Sequence, residues 1–222
     1  MTIAPPAATI PRTAAALRAL SARRLRAAPQ PSSDAAAAGS GPSDFDLQPE
    51  LARELATPSP RPAAVLVPIV MRAQLSVLLT LRTDTLPSHA GQISFPGGKI
   101  DEQDAGPAAA ALREAWEEIG LEARLVEPLG YLDAYRTGTG YAIHPLVALI
   151  EPGFSPRPNP AEVAQVFEVP FSFLMDAANH QRHARTWQGR ERHFYAMPYG
   201  EHFIWGATAG IIRNLHQRLL HA

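Results

Sequence analysis

The sequence contains no cysteine, and Lys99 is its only lysine. The lack of cysteine excludes a disulfide framework, a thiolate metal site and a cysteine nucleophile. No apolar run reaches the roughly 18 to 20 residues that a membrane-spanning helix needs. A pI near 6.7 and a net charge of -1 argue against bulk binding of nucleic acid. We therefore expect a cytoplasmic protein whose partner is a small molecule, with no membrane and no nucleic-acid partner.

Proline is abundant, with 22 among 222 residues, so part of the chain is expected to be irregular. Residues 29–44 are rich in Pro, Ser, Gly and Ala and cannot bury a core. Thr13 to Ala28 has helical composition, with Thr13 as the predicted N-cap. We predict a partly mobile N-terminal extension over 1–61, made of this Arg-rich helix and a low-complexity linker, and a catalytic domain over 62–222. Deletion of residues 1–44 is then expected to leave the core folded. An organellar transit peptide is the alternative interpretation of the extension.

The rest of the chain is β-rich, with helices at separated points, which predicts an α/β (α+β) fold. Ala63 to Met71 and Leu75 to Leu81 indicate a hairpin, and a second hairpin is predicted around Gly189. The remaining predicted elements are strands at 91–98, 125–134 and 142–150 and helices at 107–119 and 207–220. Pro107 stands at a first helical position and Gly120 just past the end of the same helix, as helix termini favour.

Three glutamates crowd the C-terminal half of the predicted helix over 107–119. Glu114, Glu117 and Glu118 have the i, i+3 and i+4 spacing that places side chains on one helix face. Their like charges repel, and they lie near the negative end of the helix dipole. Bound divalent cations remove this conflict, and oxygen-rich carboxylate sites suit Mg²⁺ or Mn²⁺. Arg113 can pair with one of the acids. A solvated acidic helix end is the alternative interpretation.

Seven residues around this helix match the signature G-x5-E-x7-R-E-U-x-E-E-x-G-U, in which U is apolar. They are Gly98, Arg113, Glu114, Glu117, Glu118, Gly120 and Leu121. Asp104 replaces the first Glu, with eight residues between it and Arg113, and Ala115 is small for its position. The chain thus resembles the Nudix hydrolases. The resemblance implies a Nudix fold, with a mixed β-sheet sandwiched between helices, and hydrolysis of a nucleoside diphosphate linked to another moiety.

Leu78 to Gly98 resembles the coenzyme A pyrophosphatase subgroup, whose motif is L-L-T-x-R-[SA]-x3-R-x3-G-x3-F-P-G-G. Thr83 replaces the Ser or Ala, and Pro87 stands where the motif has its second arginine. The whole resemblance covers residues 62–220. It implies cleavage of coenzyme A, or an acyl derivative, into adenosine 3′,5′-bisphosphate and a 4′-phosphopantetheine product. The alternatives are a Nudix hydrolase of ADP-ribose or NADH, and a Nudix-fold sensor without enzymatic activity.

The resemblance also implies roles for single residues, with Mg²⁺ or Mn²⁺ as the cofactor. Glu114 and Glu118 are the expected principal ligands, and Glu117 is a further ligand or the catalytic base. The Gly97 carbonyl and Glu162 are expected to complete the metal site. The expected contacts to substrate phosphates are Arg82, His89, Lys99 and Arg136. We expect a monomer or a homodimer.

Overall fold

The structure is a computed structural model that describes residues 9–31, 41–55, 57, 59–86, 88–187 and 189–221. The strands in these ranges are β1 (Arg61–Val70), β2 (Ser76–Arg82), β3 (Ile93–Ser94), β4 (Gly97–Lys99), β5 (Val126–Tyr131), β6 (Tyr135–Arg136), β7 (Tyr141–Ile150), β8 (Val163–Pro170), β9 (Gln181–Trp187), β10 (Arg190–Tyr199) and β11 (His202–Trp205). The helices are α1 (Ala14–Arg24), α2 (Pro49–Leu55), α3 (Pro107–Ile119), α4 (Phe171–Leu174) and α5 (Gly206–Leu220). Short 3₁₀ helices occupy Ala123–Leu125 and Ala177–Asn179.

A mixed eight-stranded sheet forms the centre of the protein. Its main path runs β3-β2-β1-β7-β5, and β4, β6 and β8 pair with β1, β7 and β2. The pairing of β1 with β7 is parallel, and the other pairings are antiparallel. One edge of β1 is shared, because β4 pairs with its beginning and β2 with its end. This division brings Gly97 and Gly98, which begin β4 and which we call the glycine turn, to the middle of the sheet.

The central strands are buried on both faces, which explains why they read as continuous apolar runs. Because successive strand residues point to opposite faces, β1 supplies Leu66 to one hydrophobic cluster and Val67 to the other. Helix α3 covers the first face, where Ala110, Ala115 and Ile119 are buried. Helices α1 and α5 cover the second face. The expected mixed sheet between helices is confirmed.

The predicted elements agree with the observed ones to within a few residues. The first hairpin is β1 and β2, and the second is β9 and β10 in a separate three-stranded sheet with β11. Helix α3 begins at Pro107 and ends before Gly120, whose positive φ of 67° suits glycine. Strands β6, β8 and β11 and the short helices α2 and α4 were not predicted as elements.

The N-terminal helix packs on the body of the protein. Thr13 caps α1 by accepting a hydrogen bond from the Ala16 amide at 3.2 Å, as predicted. Leu17 is fully buried in the same cluster as α5, and Arg26 forms a bridge with Tyr131 at the end of β5. The division of the chain at residue 61 stays a prediction, and 32–40 of its low-complexity linker lies outside the described residues.

No helix in the described part of the chain is both long and apolar enough to cross a membrane.

Candidate active site

Two glycines bring strand β4 close to the acidic helix α3. Gly97 has a φ of 154°, and a side chain there would overlap the backbone of Ala64 and Val65 in β1. A methyl group on Gly98 would overlap the carboxylate of Glu114. Gly97 therefore needs glycine, because the β1 backbone occupies the space that a Cβ would take, whereas a Cβ at position 98 would displace the Glu114 carboxylate. This contact sets the distance between the turn and the acids.

Helix α3 distributes its three glutamates between the interior and the solvent. Glu118 is only 1% exposed, whereas the side chain of Glu117 is 49% exposed. Glu114 lies between these extremes and contacts the turn. The face that carries the three acids thus runs from the protein interior to the water, as the i, i+3 and i+4 spacing predicts.

Arg113 holds more acids than the single partner expected from the sequence. Its guanidinium lies 2.9 Å from Asp104, 3.0 Å from Glu114 and 3.2 Å from Glu117, and Asp101 is 3.5 Å away. Asp104 also accepts a hydrogen bond from the Asp101 amide, and Arg113 holds the pKa of Asp104 below its usual value. Asp104, the first acid of the signature, therefore anchors the arginine that orients the others.

Glu118 is a buried carboxylate with two donors. Arg82 Nη1 lies 3.4 Å from its Oε1, and the Gly97 amide donates to its Oε2 at 3.3 Å. Burial raises the pKa of Glu118 to about 8, although Arg82 and the Gly97 amide act in the opposite direction. Glu114 and Glu162 raise the pKa further by charge repulsion. A divalent cation would stabilise the ionised form that burial disfavours.

Burial also raises the pKa of Glu114. Arg113 opposes this shift, and the charges of Glu117 and Glu162 add to it. Glu162 lies outside α3, yet its charge acts on both buried glutamates. The loop before β8 positions it, because the Asn159 amide donates to the Glu118 carbonyl and the Asn159 side chain reaches Glu162. The structure therefore brings Glu162 into the electrostatic neighbourhood of the helix acids.

The oxygen donors fit a divalent cation in their chemistry, because the charges of neighbouring carboxylates act against the ionised forms of the buried Glu114 and Glu118. The carboxylates do not form a complete coordination shell in this structure. Within the described ranges, no three His, Cys, Asp or Glu side chains have the geometry of a bound metal ion. Glu114 is instead paired with Arg113, and Glu118 with Arg82. Cation binding would therefore exchange these arginine partners for the metal.

A cleft of about 420 Å³ opens beside the glycine turn, and we call it the main cleft. Its walls include three of the four expected phosphate contacts, namely Arg82, His89 and Lys99, together with Gly97 and Gly98. The fourth, Arg136, does not line this cleft. It is 7% exposed in β6, and its Nη2 donates to the Thr57 carbonyl at 3.3 Å. Pro87 lies outside the described residues.

Asp44, which was not predicted as a site residue, lines the same cleft. Its carboxylate accepts hydrogen bonds from the Tyr135 hydroxyl at 2.9 Å and the Gly138 amide at 2.7 Å. Burial raises its pKa. Asp44 is the last residue of the low-complexity stretch over 29–44, where no structured contact was expected. Its partner Gly138 lies in the run Thr-Gly-Thr-Gly at 137–140, a turn signal that does not by itself point to Asp44.

Comparison with known proteins identifies the family. The family model of the NUDIX domain matches residues 60–189. The chain is 43% identical over 159 residues to "Uncharacterized Nudix hydrolase NudL" of Photorhabdus laumondii, covering 72% of this chain and 85% of that protein. It is 41% identical over 169 residues to the protein of the same name from Escherichia coli K12, covering 76% and 87%.

Solved structures include similar chains. The crystal structure of RenU, a Nudix hydrolase from M. Smegmatis, aligns with a TM-score of 0.44 and 25% identity, covering 50% of this chain and 71% of that chain. Nudix hydrolases generally use divalent cations and act on small nucleoside diphosphate derivatives. The family match covers the glycine turn, the acidic helix and the part of the main cleft's wall that lies between Ala63 and Ile143. The chain therefore belongs to the Nudix hydrolases.

Proposed function

We propose that this protein hydrolyses the diphosphate bond of coenzyme A or an acyl derivative, with Mg²⁺ or Mn²⁺ as cofactor. The products are adenosine 3′,5′-bisphosphate and a 4′-phosphopantetheine compound. The observation that carries the proposal is that Glu114 and Glu118 adjoin the glycine turn at the end of a motif typical of coenzyme A pyrophosphatases. Its expected cellular location is the cytoplasm.

The cation is assigned to Glu114 and Glu118, with Glu117, the Gly97 carbonyl and Glu162 as further ligands. Support comes from the raised pKa values of Glu114 and Glu118, which reflect charge repulsion and burial without a cation. When bound, such a cation neutralises a diphosphate and acidifies water. Glu117 is the proposed base, because it is the most exposed of the three helix acids and can exchange protons with water.

Arg82 links the metal site to the substrate site. It pairs with Glu118 in this structure and lines the main cleft. A cation on Glu118 would satisfy the carboxylate and leave the Arg82 guanidinium for a substrate phosphate, which it can bind through two parallel hydrogen bonds. His89 and Lys99 offer further donors to phosphate oxygens from the same walls. The buried Arg136 is better explained as a structural residue.

A second substrate class is favoured by one feature of the sequence. Pro87 removes a cation that the coenzyme A motif offers, which favours ADP-ribose or NADH, neither of which carries a 3′-phosphate. The same departure leaves the metal site intact, because the helix acids and Arg113 do not depend on it. A sensor without activity is disfavoured by the complete set of acids on α3.

A substrate panel tests the proposal. Coenzyme A, acetyl-coenzyme A, 3′-dephospho-coenzyme A, ADP-ribose and NADH would each be incubated with Mg²⁺ or Mn²⁺, and the products identified by mass. The proposal predicts the highest kcat/KM for a coenzyme A compound and a mass equal to adenosine 3′,5′-bisphosphate. Efficient cleavage of ADP-ribose or NADH without turnover of coenzyme A would replace the substrate assignment. No turnover of any compound would favour the sensor.

A further inference from the structure

A second cavity of about 400 Å³ adjoins the main cleft, and we call it the distal pocket. Its walls include Arg185, Trp187 and Arg192 from the three-stranded sheet. The two cavities share the wall residues Asp44, His89, Gln92, Thr139, Trp205 and Gly206. A substrate whose diphosphate lies in the main cleft can therefore extend one end into the distal pocket without leaving the protein surface.

Aromatic rings occupy one face of the three-stranded sheet. Directly opposed residues of an antiparallel pair lie on the same face, and so do residues two apart on one strand. Trp187 is opposite Arg190, and Trp205 is opposite Ala196, so both tryptophans lie on the face that also carries Phe194. The side chain of Trp187 remains 59% exposed. An exposed tryptophan beside a pocket provides a flat surface on which a nucleobase can stack.

The same face carries two arginines in direct opposition. Arg185 pairs in register with Arg192 across β9 and β10. Like charges directly opposite each other destabilise a sheet. Among the residues that the structure describes, Arg185 has no ion pair. The Arg192 guanidinium lies 5.2 Å from the Phe45 ring centroid, and its charge also acts on the Asp44 carboxylate. A phosphate between the two guanidinium groups would relieve the repulsion through charge-assisted hydrogen bonds.

The distal pocket also contains acids, whose charges are opposed by nearby donors. Asp44 accepts from Tyr135 and Gly138, and Asp46 accepts from the amide and hydroxyl of Ser43. Burial raises the pKa of both carboxyls, and the hydrogen bonds from Gly138 and Tyr135 and the charge of Arg192 oppose this shift at Asp44. The acids come from the N-terminal segment, whereas the arginines share the face with Trp187. The phosphate and the ring of one ligand can therefore both be bound by the sheet.

We propose that the distal pocket binds the nucleoside 3′-phosphate end of the substrate. The base stacks on Trp187, and the 3′-phosphate lies between Arg185 and Arg192. These arginines would supply the cation that Pro87 removes from the coenzyme A motif. The identity of the ligand rests on the proposed function. Much of the pocket, including Arg192 and Trp205, lies outside the NUDIX match over 60–189, which suits a role in substrate choice rather than in bond cleavage.

The proposal is tested by titration calorimetry, in which the affinity of the full chain for each of two nucleotides is measured separately. Adenosine 3′,5′-bisphosphate is the probe, and adenosine 5′-monophosphate, which lacks the 3′-phosphate, is the matched ligand. The wild-type protein should bind the bisphosphate at least about tenfold more tightly. Arg185→Ala and Arg192→Ala should remove most of this preference. Trp187→Ala should weaken binding of both nucleotides by roughly five- to a hundredfold.

Arg182→Ala is the control variant, because Arg182 is exposed on the opposite face of the same strand, opposite Tyr195. It should leave both affinities unchanged. Equal affinities of the wild type for the two nucleotides, or equal effects of Arg182→Ala and Arg185→Ala, would overturn the proposal. The assay needs no turnover. If the wild-type protein prefers the bisphosphate but does not hydrolyse coenzyme A, the proposed function is wrong and the assignment of the pocket stands. If it hydrolyses coenzyme A but shows no preference for the bisphosphate, the assignment of the pocket is wrong and the proposed function stands.

Discussion

Arg82 Nη1 lies 3.4 Å from Glu118 Oε1, so a residue that lines the main cleft is paired with a buried acid of helix α3. Their side chains are 21% and 2% exposed. The ion pair connects two elements that are distant in sequence, because Arg82 is the last residue of β2 and Glu118 lies near the end of α3. A change of charge at Glu118, a ligand of the proposed metal site, would therefore act directly on Arg82 in the main cleft.

Neutralising the helix acids should abolish activity without unfolding the protein. Glu114→Gln and Glu118→Gln are each expected to lower kcat by roughly a thousandfold, since each removes a proposed cation ligand. Thermal stability in the absence of metal should be equal or higher, because like-charge repulsion and the burial of Glu118 are relieved. Steady-state kinetics and melting curves measure both effects. The control is Glu102→Gln, which changes an exposed acid. Near-wild-type turnover in both site variants would refute the metal assignment.

The stability of the metal-free protein should fall as the pH rises. Burial raises the pKa of Glu118 from 4.5 to about 8, so the folded state keeps a proton that the unfolded state releases between these values. The free energy of unfolding should therefore decrease with rising pH across this window, by up to about 1.4 kcal/mol per pH unit. Urea unfolding in the presence of a chelator, from pH 5 to pH 8, measures the slope. Glu118→Gln should flatten it, and an unchanged slope in that variant would disprove the effect.

Arg113 and Asp104 should act as one unit. Asp104→Ala and Arg113→Lys are each expected to lower kcat by roughly ten- to a hundredfold, because each loosens the groups that orient Glu114 and Glu117. Lysine is not a substitute, since it lacks the planar guanidinium that spans several carboxylates. The double variant should lose little more than either single variant. Fully additive losses in kcat would show that Asp104 contributes independently of Arg113.

Removal of residues 1–44 should destabilise the protein, which differs from the expectation drawn from composition. The deletion removes the buried Leu17 and the Asp44 carboxylate that binds Tyr135 and Gly138. Loss of the Leu17 contacts alone should lower Tm by roughly 3 to 12 °C. The control is Arg23→Ala, which changes an exposed residue of α1 and should leave Tm unchanged. An unchanged Tm after the deletion would show that α1 adds no stability.

Local sequence signals predicted the bounds and the acidic face of helix α3 well, but they did not predict which residues from other parts of the chain are buried near the cleft. Pro107 and Gly120 mark the ends of α3 because helix termini have their own chemistry, and the spacing of the glutamates follows from helical geometry alone. The burial of Arg136 depends on a contact with Thr57 that no local pattern encodes. The burial of Asp44 and of Leu17 is hard to predict for the same reason, since Tyr135 lies 91 residues from Asp44 and the cluster that contains Leu17 includes residues of α5 near the other end of the sequence.

The parallel pairing of β1 with β7 has a consequence for how the chain folds. Each residue of β1 from Arg61 to Val70 faces a residue 80 positions later. Contacts this distant in sequence close slowly, because the loop between them must first lose its conformational freedom. During synthesis β1 emerges well before its partner, with one apolar edge unpaired. We expect aggregation of nascent chains to limit the yield in rapid expression, and slower synthesis at low temperature to raise it.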